Sequence, residues 1–159
     1  MKISAQEEYG LRCLVQLANL SEGDSLTLPQ IAESEGISTA NAGKLMWLLN
    51  KADFVQSTRG TKGGYALARP AEDIKLSEII RVLDEDVLSS HCESYTGVLE
   101  SCIHNGDCGI RPVIVGLHEI VENALSQITL AQLVGNEASV DRMFHEIQGI
   151  HRTLEPQRI

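Results

Sequence analysis

Three cysteines lie within one short segment of this 159-residue chain. Cys92, Cys102 and Cys108 are separated by nine and five residues, and the fourth cysteine, Cys13, lies alone near the N-terminus. Thiolates are soft ligands that favour iron–sulfur clusters, zinc and copper(I) over harder cations. Zinc sites usually include a cysteine pair with about two to four residues between its members, and this segment has no such pair. The spacing therefore favours an iron–sulfur cluster, with zinc and thiol redox chemistry as the alternatives.

Three thiolates leave one ligand position of such a centre open. The candidates are His91 and His104 within the segment, Cys13, and a carboxylate from elsewhere, such as Glu7 or Glu8 at the start of the first predicted helix. Cys13 falls on the apolar side of that helix, which predicts that it packs in the core. Acidic residues in a first helical turn are also explained by the helix dipole. From the residues alone the fourth ligand stays open.

The rest of the chain is predicted to be mostly helical. Ser4 and Thr27 are each followed three residues later by Glu or Gln, which is the spacing of a capping box. Gly36 suits the left-handed position after a helix, and Ser38 is a suitable cap for the next helix. Apolar periodicity predicts helices over residues 5–20, 28–35, 39–52, 76–84 and 112–127, a one-turn helix at 130–134 and a last helix near 139–150.

Two features of the first half together indicate a winged helix. The second and third predicted helices are separated by three residues, one of them glycine, which is typical of a helix-turn-helix. Short apolar runs at 54–55 and 65–67 flank the Gly-rich basic stretch 59–64, the pattern of a β-hairpin. The predicted fold class is mostly α with a small two-stranded β wing. The long helix at 112–127 has an apolar side that suits dimerisation or packing on its own domain.

The helix-turn-helix predicts a DNA interface. Its second helix enters the major groove, and the first residues of that helix touch base edges. Asn41 has a side chain that can read adenine, and Lys44 suits a phosphate or guanine. In a wing, basic side chains reach the minor groove or a phosphate, and glycine lets the backbone approach closely. The predicted DNA-contacting residues are Ser38, Thr39, Asn41 and Lys44 in the helix, and Arg59, Lys62 and Gly63 in the wing.

The charge distribution is consistent with this interface. The chain carries 13 basic and 22 acidic residues, a formal net charge of −9. Most of the acidic excess lies after residue 75, because residues 1–75 contain eight basic and nine acidic residues. Residues 38–69 hold five basic residues against one acidic residue, a net charge of +4. A local basic patch of this kind suits contact with phosphates, whatever the charge of the whole chain.

The composition also excludes several classes of protein. The sequence has no apolar run of about 18 residues, so no membrane span is predicted. The start MKISAQEEYG lacks the apolar segment of a signal peptide, which predicts a cytoplasmic protein with reduced thiols. A cysteine enzyme assisted by His91 or His104 would need an oriented catalytic group, for which the sequence has no motif. A protein that is not an enzyme is expected.

The order of these features resembles the IscR/NsrR/RirA family (Rrf-two type) of regulators. The resemblance rests on EYGLR in the first helix, LPQIAESEGIS, the wing RGTKGGY, the spaced cysteines and ITLAQLV, and it covers about residues 1–134. It implies a winged helix-turn-helix DNA-binding domain over residues 1–85 and a cysteine-containing, cluster-binding loop over 86–109. A dimerisation helix and a short helix would then occupy 110–134, and a partly helical tail 135–159.

The resemblance also implies what the chain binds. It implies a homodimer on a double-stranded DNA operator, with a cluster held by Cys92, Cys102 and Cys108. Such a protein would act as a repressor that senses redox state, nitric oxide, or iron or iron–sulfur status. A regulator of the same fold without a cluster, acting through cysteine thiols or a protein partner, is the alternative.

The resemblance finally suggests a fourth ligand. Some relatives have a ligand histidine three positions after the third cysteine, where this chain has Arg111. Other relatives use an acidic residue near the start of the first helix of the partner subunit, and Glu8 occupies that place. Glu8 is therefore the predicted fourth ligand. The missing histidine favours a 4Fe–4S cluster over a 2Fe–2S cluster.

Overall fold

The computed structural model describes residues 3–58, 63–83, 98–99, 102–104 and 107–147, and it has the mostly helical architecture with a two-stranded wing that the sequence predicts. The helices are α1 (Ala5–Ala18), α2 (Leu28–Glu35), α3 (Thr39–Lys51), α4 (Leu76–Leu83), α5 (Arg111–Ser126) and α6 (Glu137–Ile147). The strands are β1 (Val55–Thr58) and β2 (Gly64–Leu67), and two 3₁₀ turns span Ala71–Asp73 and Leu130–Leu133. In the described part of the chain, no helix has the length and apolar character needed to cross a membrane.

The helix-turn-helix is formed by α2 and α3, and local signals define its ends. The backbone amide of Thr27 donates to Gln30 Oε1 at 2.9 Å, which forms part of the predicted capping box of α2. Gly36 has a φ of 64°, the left-handed conformation that ends a helix. The hydroxyl of Ser38 accepts from the backbone amide of Asn41 at 3.2 Å and caps α3. The predicted turn between the two helices is therefore confirmed.

One apolar core connects α1, α3 and the turn that follows α5. Cys13 and Leu14 of α1 are buried in the same cluster as Leu45 of α3 and Leu130. Cys13 is 0% exposed, which confirms that it is a core residue. Burial raises the pKa of its thiol to about 11, with the carboxylate of Glu35 as the second cause. α3 and the segment after α5 thus share one packed unit.

The wing is tied to this unit at Gly64 and Tyr65. β1 and β2 pair antiparallel, and Leu26 exchanges two backbone hydrogen bonds of 2.7 and 3.0 Å with Tyr65 on the other side of β2. A Cβ atom at Gly64 would lie 2.6 Å from the carbonyl oxygen of Leu26. Only glycine permits this close approach of two backbones.

Gly64→Ala is expected to destabilise the protein by about 1–3 kcal/mol, because the added methyl group would overlap backbone atoms of the Leu26–Tyr65 pair. Thermal unfolding, monitored by circular dichroism, measures this change in stability. Gly43→Ala in α3 is the matched control, because the nearest atom to its Cβ would be Leu28 Cδ1 at 4.0 Å. Alanine there is expected to stabilise the helix by about 0.5–1 kcal/mol. Equal melting temperatures for Gly64→Ala and the wild type would contradict the close approach.

α4 and the end of α5 share a second, smaller apolar cluster. Leu76, Ile80 and Ile128 form its buried part. Arg81 of α4 and Glu122 of α5 form an ion pair beside it. No residue of α5 itself is buried, and the helix exposes large apolar side chains at Val113, Leu117 and Ile120. In this single chain, α5 therefore packs on its own unit with one side only.

Candidate DNA interface and cysteine segment

The start of α3 presents exposed polar side chains. Buried residues hold the helix against the core, namely Ala42, Leu45, Met46 and Leu49. Ser38, Thr39, Asn41 and Lys44 are all exposed. The oxygen of Ser38 accepts from the Asn41 amide, which leaves its hydroxyl hydrogen for a DNA acceptor. The structure thus places all four helix residues of the predicted interface in solvent.

Two further residues, in the second half of α3, share the exposed surface with the predicted contacts. Trp47 is 60% exposed, and Nζ of Lys51 lies 5.5 Å from the centre of its ring. Lys44, Trp47 and Lys51 are spaced by three and four residues, which places them on one face of the helix. This helical spacing is the feature of the sequence from which a shared face could have been predicted. The outward face of α3 is therefore cationic and aromatic beyond its first turn.

Two hydrogen bonds join the strands of the wing at the base of its tip. The hydroxyl of Thr58 accepts from the Gly64 amide at 3.0 Å and donates to the Gly64 carbonyl at 3.2 Å. Gly63 directly precedes β2 and is half-buried. Arg59 and Lys62, the predicted cations of the wing tip, lie outside the described residues.

Arg69 is part of the +4 charge of residues 38–69, but the structure uses it in the fold. Its guanidinium pairs with Glu78 and donates to the carbonyl of Asp73 at 3.0 Å. The same group lies 5.3 Å from the centre of the Phe54 ring. The pairing with Glu78 cancels its charge locally, so the basic patch that DNA would meet is smaller than the sequence count indicates.

Two of the three predicted cysteine ligands lie in the described part of the chain. Cys102 and Cys108 are free thiols, each half-buried, in the segment before α5. Arg111 at the start of α5 braces this segment, because its amide donates to the Cys108 carbonyl and its Nη2 to the His104 carbonyl, each at 3.3 Å. Cys92 and His91 lie outside the described residues.

The two glutamates at the start of α1 have different surroundings. Glu7 is 1% exposed, and its carboxylate accepts from the Ser4 amide at 2.6 Å in the capping box. Glu8 is exposed and pairs with Arg12 at 2.7 Å across one helical turn. Exposed pairs of this kind are weak, so the Glu8 carboxylate can change partner at little cost. Within the residues that the structure describes, no three His, Cys, Asp or Glu side chains gather as a metal site.

A helix-turn-helix followed by a β-hairpin, with an exposed polar and cationic second helix, defines a winged helix-turn-helix DNA-binding protein. The chain belongs to the Rrf2 family, whose model is described as an iron-dependent transcriptional regulator and matches residues 3–136. This confirms the resemblance to the Rrf-two type. The chain is a transcriptional regulator of this family and not an enzyme.

Similar proteins match nearly the whole chain. The regulator IscR of Klebsiella pneumoniae is 31% identical over an alignment that covers 98% of this chain and 95% of that protein. NsrR of Bacillus licheniformis is 28% identical and covers 90% of this chain and 99% of its own length. Among solved structures, T. potens IscR has a TM-score of 0.66 and 32% identity, with coverage of 84% and 86%. CymR (YrzC), described as the global cysteine regulator of B. subtilis, has a TM-score of 0.67 and 28% identity, with coverage of 84% and 96%.

Proposed function

We propose that the chain is a homodimeric, cytoplasmic repressor that binds operator DNA and holds an iron–sulfur cluster through Cys92, Cys102 and Cys108. The observation that carries the proposal is the pair of free, half-buried thiols of Cys102 and Cys108 directly before α5. This segment precedes the helix that we propose as the dimer contact, so a change there can alter the spacing of two DNA-binding units. The proposed signals are redox state, nitric oxide, and iron or iron–sulfur status.

The dimer is proposed from the apolar surface of α5. Val113, Leu117 and Ile120 are exposed and recur at helical spacing. Ile110, immediately before the helix, is exposed as well. Contiguous apolar surface on a helix marks a protein contact. Helix-turn-helix proteins bind two half-sites as two-fold related copies, so a second copy of this chain is the partner that also suits the operator.

The free thiols of Cys102 and Cys108 support a cluster held mainly by sulfur. Cys13 is an unsuitable ligand, because it is fully buried and burial raises its pKa to about 11, away from the thiolate that binds metal. Glu7 is also unsuitable, because its carboxylate is buried in the capping box. The exposed Glu8 of the partner subunit is the proposed fourth ligand, with His91 and His104 as the alternatives. When bound, the cluster supplies electron-transfer chemistry and an iron centre that can react with nitric oxide.

The proposed cluster is of the 4Fe–4S type. Arg111 stands where the resemblance places a ligand histidine in some relatives, and a guanidinium group has no free lone pair for iron. Its hydrogen bonds to the carbonyls of His104 and Cys108 give it a different task, which is to hold the cysteine segment against the start of α5.

Purification without oxygen tests the proposal. The protein is expected to be brown, with visible absorbance and about four iron and four sulfide ions per subunit. Operator binding is then measured while nitric oxide or oxygen is titrated. Colourless protein that contains stoichiometric zinc would contradict the cluster, and two iron ions per subunit would contradict the cluster type.

Glu8→Ala is expected to increase the rate of cluster loss to an iron chelator about 10- to 100-fold, because the cluster loses its oxygen ligand. The decay of visible absorbance measures this rate. Arg12→Ala is the matched control, because it removes the ion pair with Glu8 and keeps the carboxylate. Equal rates of cluster loss for Glu8→Ala and the wild type would show that Glu8 is not the fourth ligand, which would then be His91, His104 or another group.

A second candidate function is a cluster-free regulator that senses through cysteine thiols or a protein partner. Similarity to CymR favours it, including a Staphylococcus aureus structure described as the oxidized form, with 29% identity, a TM-score of 0.67 and coverage of 86% and 98%. Cys102 and Cys108 would then be the reactive groups. This function would be favoured over the cluster-binding function if the iron-free protein bound the operator fully and mild oxidation changed that binding.

A further inference from the structure

We propose that Trp47 and Lys51 contact the sugar–phosphate backbone of duplex DNA at the rim of the major groove. The inference rests on the DNA-binding function of the family and adds two contact residues to it. Trp47 is 60% exposed, although Leu45, Met46 and Leu49 around it in sequence are buried. Nζ of Lys51 lies 5.5 Å from the centre of the indole ring, a distance at which the cation helps to hold the ring in place.

The position of Trp47 along α3 matches the depth of the groove. A reading helix that enters by its N-terminal end brings Asn41 to the base edges. With a rise of about 1.5 Å per residue, Trp47 lies about 9 Å behind Asn41 and Lys51 about 15 Å behind it. The major groove is about 8.5 Å deep. In that orientation, Trp47 would lie at the level of the sugars and phosphates, and Lys51 would lie further out, beyond the depth of the groove.

Charge complementarity identifies the occupant of this surface as DNA. Lys44 and Lys51 lie one turn before and one turn after Trp47, so the indole is flanked by two ammonium groups. Deoxyribose offers an apolar surface to the ring, and the phosphates on either side offer anions to the lysines. The surface also continues directly from the exposed start of α3, so one docked duplex covers both.

Trp47 is the single tryptophan of the chain, so its fluorescence reports on this site alone. The full-length protein is titrated at low salt with a random-sequence duplex of about 30 base pairs, because backbone contact does not depend on sequence. Acrylamide quenching of Trp47 is expected to fall at least about twofold when the duplex is bound, since the DNA covers the ring. Quenching that stays unchanged at saturating DNA would overturn the proposal.

Affinity measurements on variants separate the roles of the two side chains. Trp47→Ala is expected to weaken duplex binding about tenfold, whereas Trp47→Phe keeps most of the affinity. Lys51→Ala is expected to reduce the slope of log affinity against log salt by about one. Phe144→Ala, an exposed aromatic residue of α6, and Lys75→Ala, a lysine outside α3, are the matched controls and should leave affinity and slope unchanged.

The same variants distinguish DNA from a protein partner on this face. If Trp47→Ala bound the duplex like the wild type but changed the sedimentation coefficient, Trp47 would belong to a contact between subunits and the proposal would be wrong. Circular dichroism checks that each variant is folded; Trp47, Lys51 and Phe144 are exposed and Lys75 is half-buried. If the wild-type protein does not bind the duplex at all, the DNA-binding function itself is contradicted. If the wild type and Trp47→Ala bind the duplex equally well, only the proposed role of Trp47 is contradicted.

Discussion

Cys102→Ser is expected to remove the cluster and, with it, the response of operator binding to oxygen and nitric oxide. A serine hydroxyl has nearly the size of a thiol but is a harder ligand that ionises much less readily, so it replaces the thiolate poorly. Iron and sulfide per subunit should fall at least about tenfold. Cys102 belongs to neither of the apolar clusters that the described residues form, so the iron-free variant should melt like the iron-free wild type.

Cys13→Ser is the matched control for this substitution. It exchanges the same atoms at a fully buried position, so it should keep the cluster and lose about 1–3 kcal/mol of stability through an unpartnered hydroxyl.

Burial raises the pKa of Cys13 from 9.0 to about 11, so the folded state holds this proton to higher pH than the unfolded state. The stability that the protonated thiol contributes is complete below pH 9 and is lost as pH rises toward 11.

Thiol labelling checks the same assignment without a substitution. At neutral pH, an alkylating reagent should modify Cys102 and Cys108 in iron-free protein, and Cys13 only after unfolding. Cys102→Ser that still showed visible absorbance and responded to nitric oxide would contradict the cysteine segment as the cluster site. If the wild type contains no iron but its operator binding responds to oxidants, and Cys102→Ser loses this response, the thiol-based function is supported.

Features that depend on neighbouring residues could be predicted from the sequence. The caps at Ser4 and Thr27, the left-handed Gly36 and the core position of Cys13 all follow from patterns within about one or two helical turns. The ends of the elements follow the sequence pattern less closely: α1 ends at Ala18, where the apolar pattern predicts an end at about residue 20. Frayed helix ends commonly differ from a sequence pattern by this amount.

Features that depend on distant contacts were not predictable in the same way. The pairing of Arg69 with Glu78 and its place over Phe54 are tertiary contacts, which a count of charges along the chain does not contain. The need for glycine at position 64 arises from Leu26, which is far away in sequence. The fourth ligand is a harder case, because Glu8 would act from another copy of the chain. Which residues two copies bring together depends on how they dock, and the pattern of one chain does not specify this.

Ile120→Glu is expected to convert the proposed dimer into monomers. Ile120 is 66% exposed and lies on the apolar side of α5 with Val113 and Leu117. Burying a carboxylate at the centre of such a contact costs several kcal/mol, so the dimer dissociation constant should rise at least about 100-fold. Sedimentation velocity over a range of protein concentrations measures this change. Ser126→Glu adds the same charge to α5 at an exposed position outside the apolar side, and it should remain dimeric.

Loss of the dimer should also weaken operator binding, by about 100-fold or more. Two linked reading helices bind the second half-site as an intramolecular event, and a monomer loses this gain. Binding to a single half-site should be nearly equal for Ile120→Glu and the wild type, because the substitution lies far along the chain from α3 and leaves its exposed surface intact. A variant that stayed dimeric would place the subunit contact on a surface other than the apolar side of α5. A monomeric variant with unchanged operator affinity would instead separate DNA binding from dimerisation, and the proposed coupling between the cysteine segment and the operator would then be wrong.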